Sequence, residues 1–182
     1  MSVTEKIRHK RLFLALWPDE ITRNKLVKIQ KHFAGKRQAK ARPIVPENIH
    51  ITLHFLGSVD EAIVEPLCVL LDEVKANAFN LDIDRWGYFP RPQVLWLGAE
   101  QIPCALSDLV ESTAACVKSV LPEYRYKKFI PHATVYRRAR HPGDIEPFEP
   151  VAWHIDRYVL VESITRAEGV EYRISREWPL MA

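Results

Sequence analysis

Short apolar runs and longer amphipathic stretches alternate along this chain, a pattern typical of mixed strands and helices. Arg11–Trp17 is a compact apolar run that predicts a buried strand. Apolar residues then recur near helical spacing from Ile21 to Phe33, with lysines and arginines between them. They predict an amphipathic helix that begins after Asp19, a suitable N-cap, and ends at Gly35.

The remainder of the chain predicts two more helices and six more strands. Asp60 can cap a helix over Glu61–Ala76, although Pro66 within it predicts a kink or a later start near Glu65. Ile102–Leu121 carries apolar residues at helical spacing and predicts the other helix. The predicted strands are Ile49–Gly57, Phe79–Phe89, Val94–Leu97, Phe129–Arg138, Trp153–Val161 and Val170–Trp178.

This order of elements contains no Gly-rich nucleotide loop and no strict alternation of strand and helix. It favours an α+β fold, with antiparallel sheets and helices packed outside them. The turn at Pro90–Pro92 predicts an antiparallel hairpin between Phe79–Phe89 and Val94–Leu97. With 182 residues, the chain has the size of one domain or of two small lobes that share a core.

Two of the predicted strands carry the same pattern of His, apolar residue, Thr, apolar residue. It begins at His50 in the first strand and at His132 in the second. Residues two apart on a strand share a face, so His50 lies beside Thr52, and His132 beside Thr134. The repeat leads to the hypothesis of two related lobes, although the two halves show no other visible similarity.

Two histidines that face one cleft suit general acid–base catalysis, because the pKa of imidazole lies near working pH. One ring can take a proton from an attacking water, and the other can donate a proton to a leaving oxygen. The hydroxyls of Thr52 and Thr134 can donate hydrogen bonds to the oxygens of a phosphate held between the rings. This chemistry requires neither a metal nor another cofactor.

The formal charge of +3 is small, but the basic residues are concentrated near the two motifs. Such clusters favour an anionic ligand. They comprise Lys31, Lys36, Arg37, Lys40 and Arg42, and later Arg125, Lys127, Lys128, Arg137, Arg138 and Arg140.

The three cysteines have no metal-ligand spacing and form no disulfide framework, which suits a reducing compartment. Met1–Arg11 lacks the apolar core of a signal peptide. No run approaches the roughly 20 apolar residues of a membrane span. We therefore expect a soluble, cytoplasmic protein that makes no membrane contact and is a monomer.

These motifs resemble those of the 2H phosphoesterases, and among them the LigT-like RNA 2′,3′-cyclic phosphodiesterases, also called 2′-5′ RNA ligases. The first motif of the family is similar to Pro46–Gly57, and the second matches Phe129–Arg137. Its first strand, middle hairpin and closing strand resemble Arg11–Pro18, Trp86–Pro90 with Val94–Gly98, and Gly169–Leu180.

The resemblance implies one bilobal α+β domain over residues 1–182, with two antiparallel sheets and outer helices around a central cleft. It implies hydrolysis of RNA 2′,3′-cyclic phosphate ends to 2′-phosphates. By this resemblance His50 is the proton donor to the leaving 3′-oxygen, and His132 is the proton acceptor that activates water. Thr52 and Thr134 would hold the phosphate oxygens.

The family also places an aromatic residue and an arginine near the terminal base, and these positions fall on Phe55 and Arg137 here. Phe55 has the opposite strand parity from His50. We therefore expect Phe55 to reach the cleft only if its strand twists or bulges.

Other hypotheses remain open. His54 has the parity of His50, so it could border the cleft and join His50 and His132 in a zinc site, although no Cys or carboxylate accompanies them at ligand spacing. A non-catalytic module that binds RNA ends or nucleotides would use the same cleft, but would not require both histidines. Opening of a small cyclic nucleotide and 2′-5′ ligation of RNA would use the same groups as hydrolysis.

Overall fold

The computed structural model describes residues 8–34, 41–126, 128–140, 145–167 and 169–182. Within these residues the chain forms three α-helices, one short 3-10 turn and ten strands. The helices are α1 (Glu20–Ala34), α2 (Glu61–Asp72) and α3 (Cys104–Val120), and the 3-10 turn is Pro46–Asn48. The strands are β1 (His9–Leu16), β2 (Arg42–Pro43), β3 (Ile51–Asp60), β4 (Phe79–Ile83), β5 (Arg85–Phe89), β6 (Val94–Gly98), β7 (His132–Arg137), β8 (Val151–Ile155), β9 (Arg157–Arg166) and β10 (Gly169–Pro179).

Eight of the described strands form one antiparallel sheet, in the order β10-β9-β1-β3-β7-β6-β5 with β2 beside β7. Strands β4 and β8 pair antiparallel in a separate small sheet. The predicted α+β fold with antiparallel sheets is therefore confirmed. The hairpin across the Pro-rich turn is also confirmed, as the pair β5–β6.

The two motif strands, β3 and β7, are neighbours at the centre of the large sheet. Among the described residues, they pair directly at Ile51 and Ala133. Beyond this point β3 continues along β1, while the edge of β7 is taken by β2, where Arg42 lies opposite Arg137. The two halves of the sheet therefore diverge from their meeting point and leave a cleft between them.

The two faces of the sheet bury different sets of residues. On one face, alternate residues of β1 such as Leu12 and Leu14 pack with Leu26 of α1, Leu67 of α2 and Leu106 of α3 in one core. Burying a leucine side chain contributes roughly 1.5–3 kcal/mol, so this shared core holds the helices on that face. On the other face, a small second cluster forms from Phe13, Ala15, Val159 and Val161, with Trp17, Tyr172 and Ile174 packed against it.

Both predicted helix caps are present. The Asp19 carboxylate accepts a hydrogen bond from the Thr22 amide at 2.6 Å, and the Asp60 carboxylate accepts one from the Ala62 amide at 3.0 Å. Helix α2 begins directly after Asp60 with Pro66 inside it, so the alternative start near Glu65 is wrong. No described helix combines the length and the apolar content that a membrane span requires.

Two predicted strands are each divided in the structure. Phe79–Phe89 separates at Asp84 into β4 and β5, which belong to different sheets. The Asp84 amide donates to the Gly98 carbonyl at 3.0 Å, which fixes the transfer from the small sheet to the large one. Trp153–Val161 likewise separates at Asp156 into β8 and β9. The prediction of two single strands was therefore wrong. In each case both segments bury apolar residues in the same core, so apolar content alone does not reveal where the strand divides.

Candidate active site

The cleft between the two halves of the sheet is a cavity of about 920 Å³. Its lining includes His50 and Thr52 from the first motif and His132 and Thr134 from the second. His50 directly precedes β3, and His132 is the first residue of β7. The two imidazoles therefore flank the point at which the motif strands meet.

The same backbone contact orients both rings. His50 Nδ1 lies 2.7 Å from the Asn48 carbonyl oxygen, and His132 Nδ1 lies 2.7 Å from the Ile130 carbonyl oxygen. A carbonyl oxygen only accepts hydrogen bonds, so each Nδ1 carries a proton and donates it. In the neutral rings Nε2 is then the unprotonated atom, able to take a proton from a ligand.

His50 lies in an aromatic enclosure. Its ring stacks on Trp17 at 5.1 Å between centroids and meets Phe13 at 4.9 Å and the edge of Tyr172 at 5.3 Å. Burial lowers the pKa of His50 to about 4, and the nearby His132 contributes to this lowering. The ring is therefore neutral in the ligand-free protein at neutral pH, and the Thr52 hydroxyl lies 3.0 Å from its Nε2.

His132 has different neighbours. The ring of Phe89 meets the His132 ring edge-on at 4.9 Å between centroids, and the centroid of the Trp96 ring lies 5.9 Å from that of His132. Burial lowers the pKa of His132, and the positive charge of Arg137 lowers it further. Both histidines are therefore biased toward the neutral form, which accepts a proton.

Each motif strand contains a β-bulge at the residue after its threonine. In β3, Thr52 lies opposite Ala15 and His54 opposite Leu14, so Leu53 is an extra residue. In β7, Thr134 lies opposite Trp96 and Tyr136 opposite Leu95, so Val135 is an extra residue. An extra residue shifts the alternation of faces for every residue that follows.

The bulges bring the fifth residue after each histidine into the cleft. Phe55 and Arg137 both line the cavity, although simple alternation places each on the opposite face from its histidine. The Phe55 side chain is 53% exposed, and the Arg11 guanidinium lies 5.0 Å from the centre of its ring. The bulge that the sequence required for Phe55 is therefore present.

The structure places His54 away from the cleft, which corrects its predicted position. Its side chain is 1% exposed and faces α3, where Nε2 donates to the Val110 carbonyl at 3.0 Å. Its Nδ1 accepts a hydrogen bond from the Tyr124 hydroxyl at 2.7 Å. Because the bulge turns it to the other face of the sheet, His54 cannot join His50 and His132 around a zinc ion.

Tyr136, the counterpart of His54 in the second motif, also anchors its strand to a helix. Its hydroxyl donates to the carbonyl of Gln30 in α1 at 2.9 Å, and the side chain is buried. The side-chain amide of Gln30 in turn donates to the carbonyl of Val135, the bulge residue, at 2.8 Å. Both motif strands are therefore fixed to a helix directly behind the cleft.

Arginines surround the cleft. Arg166 forms an ion pair with Glu171 at 2.9 Å, whereas the other cleft arginines have no carboxylate partner among the described residues. Imidazoles, hydroxyls and guanidinium groups suit an anionic ligand and lack the carboxylate set of a metal site. The cleft arginines are Arg11, Arg42, Arg137, Arg138 and Arg166.

Sequence reasoning found part of this basic lining. Arg42, Arg137 and Arg138 belong to the predicted basic runs, but Arg125 is an exposed residue beside Glu123. Arg11 and Tyr172 were missed, because long-range strand pairing brings them to the motif strands: Arg11 through the pairing of β1 with β3, and Tyr172 through β10, β9 and β1. Of the predicted basic residues, Lys36, Arg37, Lys40 and Lys127 lie outside the described residues.

Paired His-x-Thr strands that flank a cleft with a basic lining define the phosphoesterases of the two-histidine class. A family model described as LigT like Phosphoesterase matches residues 16–96. An RNA 2′,3′-cyclic phosphodiesterase of Archaeoglobus fulgidus is 36% identical over 169 residues, which cover 91% of this chain and 90% of that protein. The protein of the same name from Escherichia coli K12 is 32% identical over 145 residues, which cover 76% of this chain and 77% of that protein.

The solved structures agree with these relatives. The crystal structure of E. coli LigT in its apo form has a TM-score of 0.85 and 26% identity, and covers 96% of this chain and 99% of its own. The E. coli protein has also been solved in complexes with 3′-AMP and with phosphate. This chain belongs to the LigT-like phosphoesterase family.

Proposed function

We propose that this protein hydrolyses RNA 2′,3′-cyclic phosphate ends to 2′-phosphates. The observation that carries the proposal is the matched orientation of His50 and His132, whose Nδ1 atoms are bound to backbone while both rings line one cleft. The names of the A. fulgidus and E. coli relatives support the same reaction.

In the proposed reaction, a water molecule attacks the phosphorus atom of the cyclic phosphate. His132 Nε2 takes a proton from this water as the new P–O bond forms. The bond between phosphorus and the 3′-oxygen breaks, and His50 Nε2 donates a proton to that oxygen. The products are a free 3′-hydroxyl and a phosphate that remains on the 2′-oxygen.

Thr52 and Thr134 would donate hydrogen bonds to the non-bridging oxygens of the phosphate. Both line the cavity beside their histidines, which supports this role. Donors placed where negative charge develops stabilise a transition state strongly, because they need no reorganisation during the reaction. This scheme uses only groups of the chain and needs no metal ion.

The negative charge of the bound substrate would raise the pKa of His50 and so allow this residue to act as an acid. Burial lowers the pKa of His50 to about 4, so the free ring carries no proton at neutral pH. A bound phosphate anion near Nε2 favours the charged imidazolium and raises that pKa. His50 would therefore gain its proton together with the substrate, while His132 stays neutral as the base.

Phe55 and Arg137 would bind the terminal nucleotide. The exposed Phe55 ring is able to stack on a base, and the Arg11 guanidinium lies 5.0 Å from its centre. We also propose that residues 1–182 act as one bilobal domain and as a monomer, because each half of the sheet contributes one histidine to the cleft. The cytoplasmic location stays a prediction from the sequence.

The test is incubation of an RNA oligonucleotide that ends in a 2′,3′-cyclic phosphate with purified protein in EDTA, beside His132→Ala. We expect a 2′-phosphate end from the wild-type protein and almost none from the variant. Tight binding without turnover would instead indicate a module that binds RNA ends. A 3′-phosphate product, or turnover only after a divalent metal is added, would overturn the proposed reaction.

A further inference from the structure

Two residues at one end of the β6–β7 pair have a left-handed backbone. Gln93 has φ 53° and Arg138 has φ 55°, and they are the described non-glycine residues with positive φ. Gln93 directly precedes Val94, and Arg138 directly follows Arg137. Because Val94 and Arg137 are the last pair of this ladder, Gln93 and Arg138 lie opposite each other. Residues other than glycine adopt this conformation only where the surrounding structure enforces it.

Two hydrogen bonds of the neighbouring Ala139 hold the backbone in this conformation. Its amide donates to the Gln93 carbonyl at 3.0 Å, and its carbonyl accepts from the Tyr88 hydroxyl at 2.9 Å. Ala139 is fully buried, so the chain on the far side of Arg138 is fixed. A glycine would adopt this backbone without strain, and what it would lack is the arginine side chain, which lines the cleft.

Arg138 belongs to a basic surface beyond the two motifs. Arg42 lies across from Arg137 in the β2–β7 pair, so Arg42 and Arg138 are close neighbours, and both line the cleft. Neither forms an ion pair with a carboxylate among the described residues. Guanidinium groups without such partners bind phosphate oxygens through two parallel hydrogen bonds.

We propose that Arg138, together with Arg42, binds the phosphodiester that joins the terminal nucleotide of the RNA to the nucleotide before it. This inference rests on the proposed function, in which Thr134 holds the terminal phosphate. Arg138 lies four residues beyond Thr134, and because Val135 is an extra bulge residue the two are separated by roughly 10 Å along the strand. Its position therefore suits a second phosphate, and the cleft would favour an oligonucleotide over a cyclic mononucleotide.

The matched variants are Arg138→Gly and Gln93→Gly, each of which replaces one left-handed residue by glycine. Both should keep or raise the melting temperature, because glycine removes the strain. Only Arg138→Gly should lower kcat/KM for a tetranucleotide with a cyclic phosphate end, by about tenfold. Its loss with a cyclic mononucleotide should be several times smaller. Arg138→Gln, which keeps the backbone strain and removes the charge, should repeat the result.

Binding of a tetranucleotide that already ends in a 2′-phosphate provides a readout that needs no turnover. The slope of log affinity against log salt concentration should decrease by about one in Arg138→Gln, the signature of one lost phosphate contact. Equal losses of kcat/KM on both substrates, or an unchanged salt slope, would overturn the second phosphate subsite. Failure of the wild-type protein to cleave either substrate would instead count against the proposed function, and the binding slopes would still decide the subsite.

Discussion

The first and second motif strands share a backbone design and differ in their surroundings. In each, the histidine donates from Nδ1 to the carbonyl two residues earlier, and a bulge follows the threonine. In each, the fourth residue after the histidine is buried against a helix and the fifth lines the cleft. This match, which includes an irregularity of the backbone, supports the hypothesis of two related lobes.

The side chains around the two motifs differ at corresponding positions. His50 is enclosed by Trp17, Phe13 and Tyr172, and the fifth residue after it is the aromatic Phe55. The fifth residue after His132 is Arg137, whose charge lowers the pKa of that histidine. In the proposed reaction, the shared backbone would supply two proton-transfer groups, and the different side chains would allow the two groups to take different roles.

The largest expected effect is the loss of either histidine. His50→Ala and His132→Ala should each lower kcat by about 10²–10⁴-fold, the range of general acid–base catalysis. Circular dichroism should show an unchanged fold for both variants, because each ring lines the cleft and neither belongs to the main core. Near-normal turnover by either variant would remove that residue from the mechanism.

Loss of the hydrogen bonds by which His54 and Tyr136 hold the motif strands to helices should have an intermediate effect. His54→Leu leaves the Tyr124 hydroxyl without its acceptor and removes the donor that His54 provides to the Val110 carbonyl, which still accepts from the Thr113 hydroxyl at 3.2 Å. It should lower the free energy of unfolding by roughly 1–3 kcal/mol. Tyr136→Phe removes one hydrogen bond, to Gln30, and should cost about 1 kcal/mol. Urea denaturation of the two variants measures both values.

A second readout separates positioning from stability. If His54 holds the bulge that turns Phe55 into the cleft, His54→Leu should raise KM on the order of tenfold. The same substitution in a Phe55→Ala background should then change KM much less, because the positioned side chain is already absent. An equal change in both backgrounds would show that His54 does not act through Phe55.

The smallest expected effect is a shift of the pH profile. Burial lowers the pKa of His50 to about 4 and also lowers the pKa of His132. Since one ring must be charged and the other neutral, kcat/KM should be bell-shaped with a maximum below pH ~6.5, the ordinary pKa of histidine. The kcat profile should lie at higher pH, because bound phosphate stabilises the imidazolium. A kcat/KM maximum above pH ~7.5 would contradict these environments.

The elements and the motif pair could be predicted from sequence, but the bulges could not. Apolar periodicity located the three helices, with caps predicted for two of them, and composition located the motif strands. The bulged residues Leu53 and Val135 are ordinary apolar strand residues and carry no sign of their irregularity. His54 was therefore assigned to the wrong face, although the same alternation rule correctly placed Thr52 beside His50.

The division of two predicted strands did leave a trace in the sequence. Core residues alternate up to Ile83 and then resume at Trp86, and they alternate up to Ile155 and resume at Tyr158. Each interval of three breaks the alternation and marks the transfer between sheets. Arg11 and Tyr172 had no comparable signal, because their approach to the motifs depends on long-range strand pairing.

The central claim is that the two matched histidines divide acid and base roles, with His50 as the acid. The most direct test compares kcat for His50→Ala and His132→Ala on a cyclic substrate in which sulfur replaces the 3′-oxygen. A thiolate leaves without protonation, since thiols have a pKa of about 8.5. The account predicts that this substrate restores most of the activity of His50→Ala and little of that of His132→Ala. Rescue of His132→Ala instead would reverse the assignment, and equal behaviour of the two variants would contradict a division of roles.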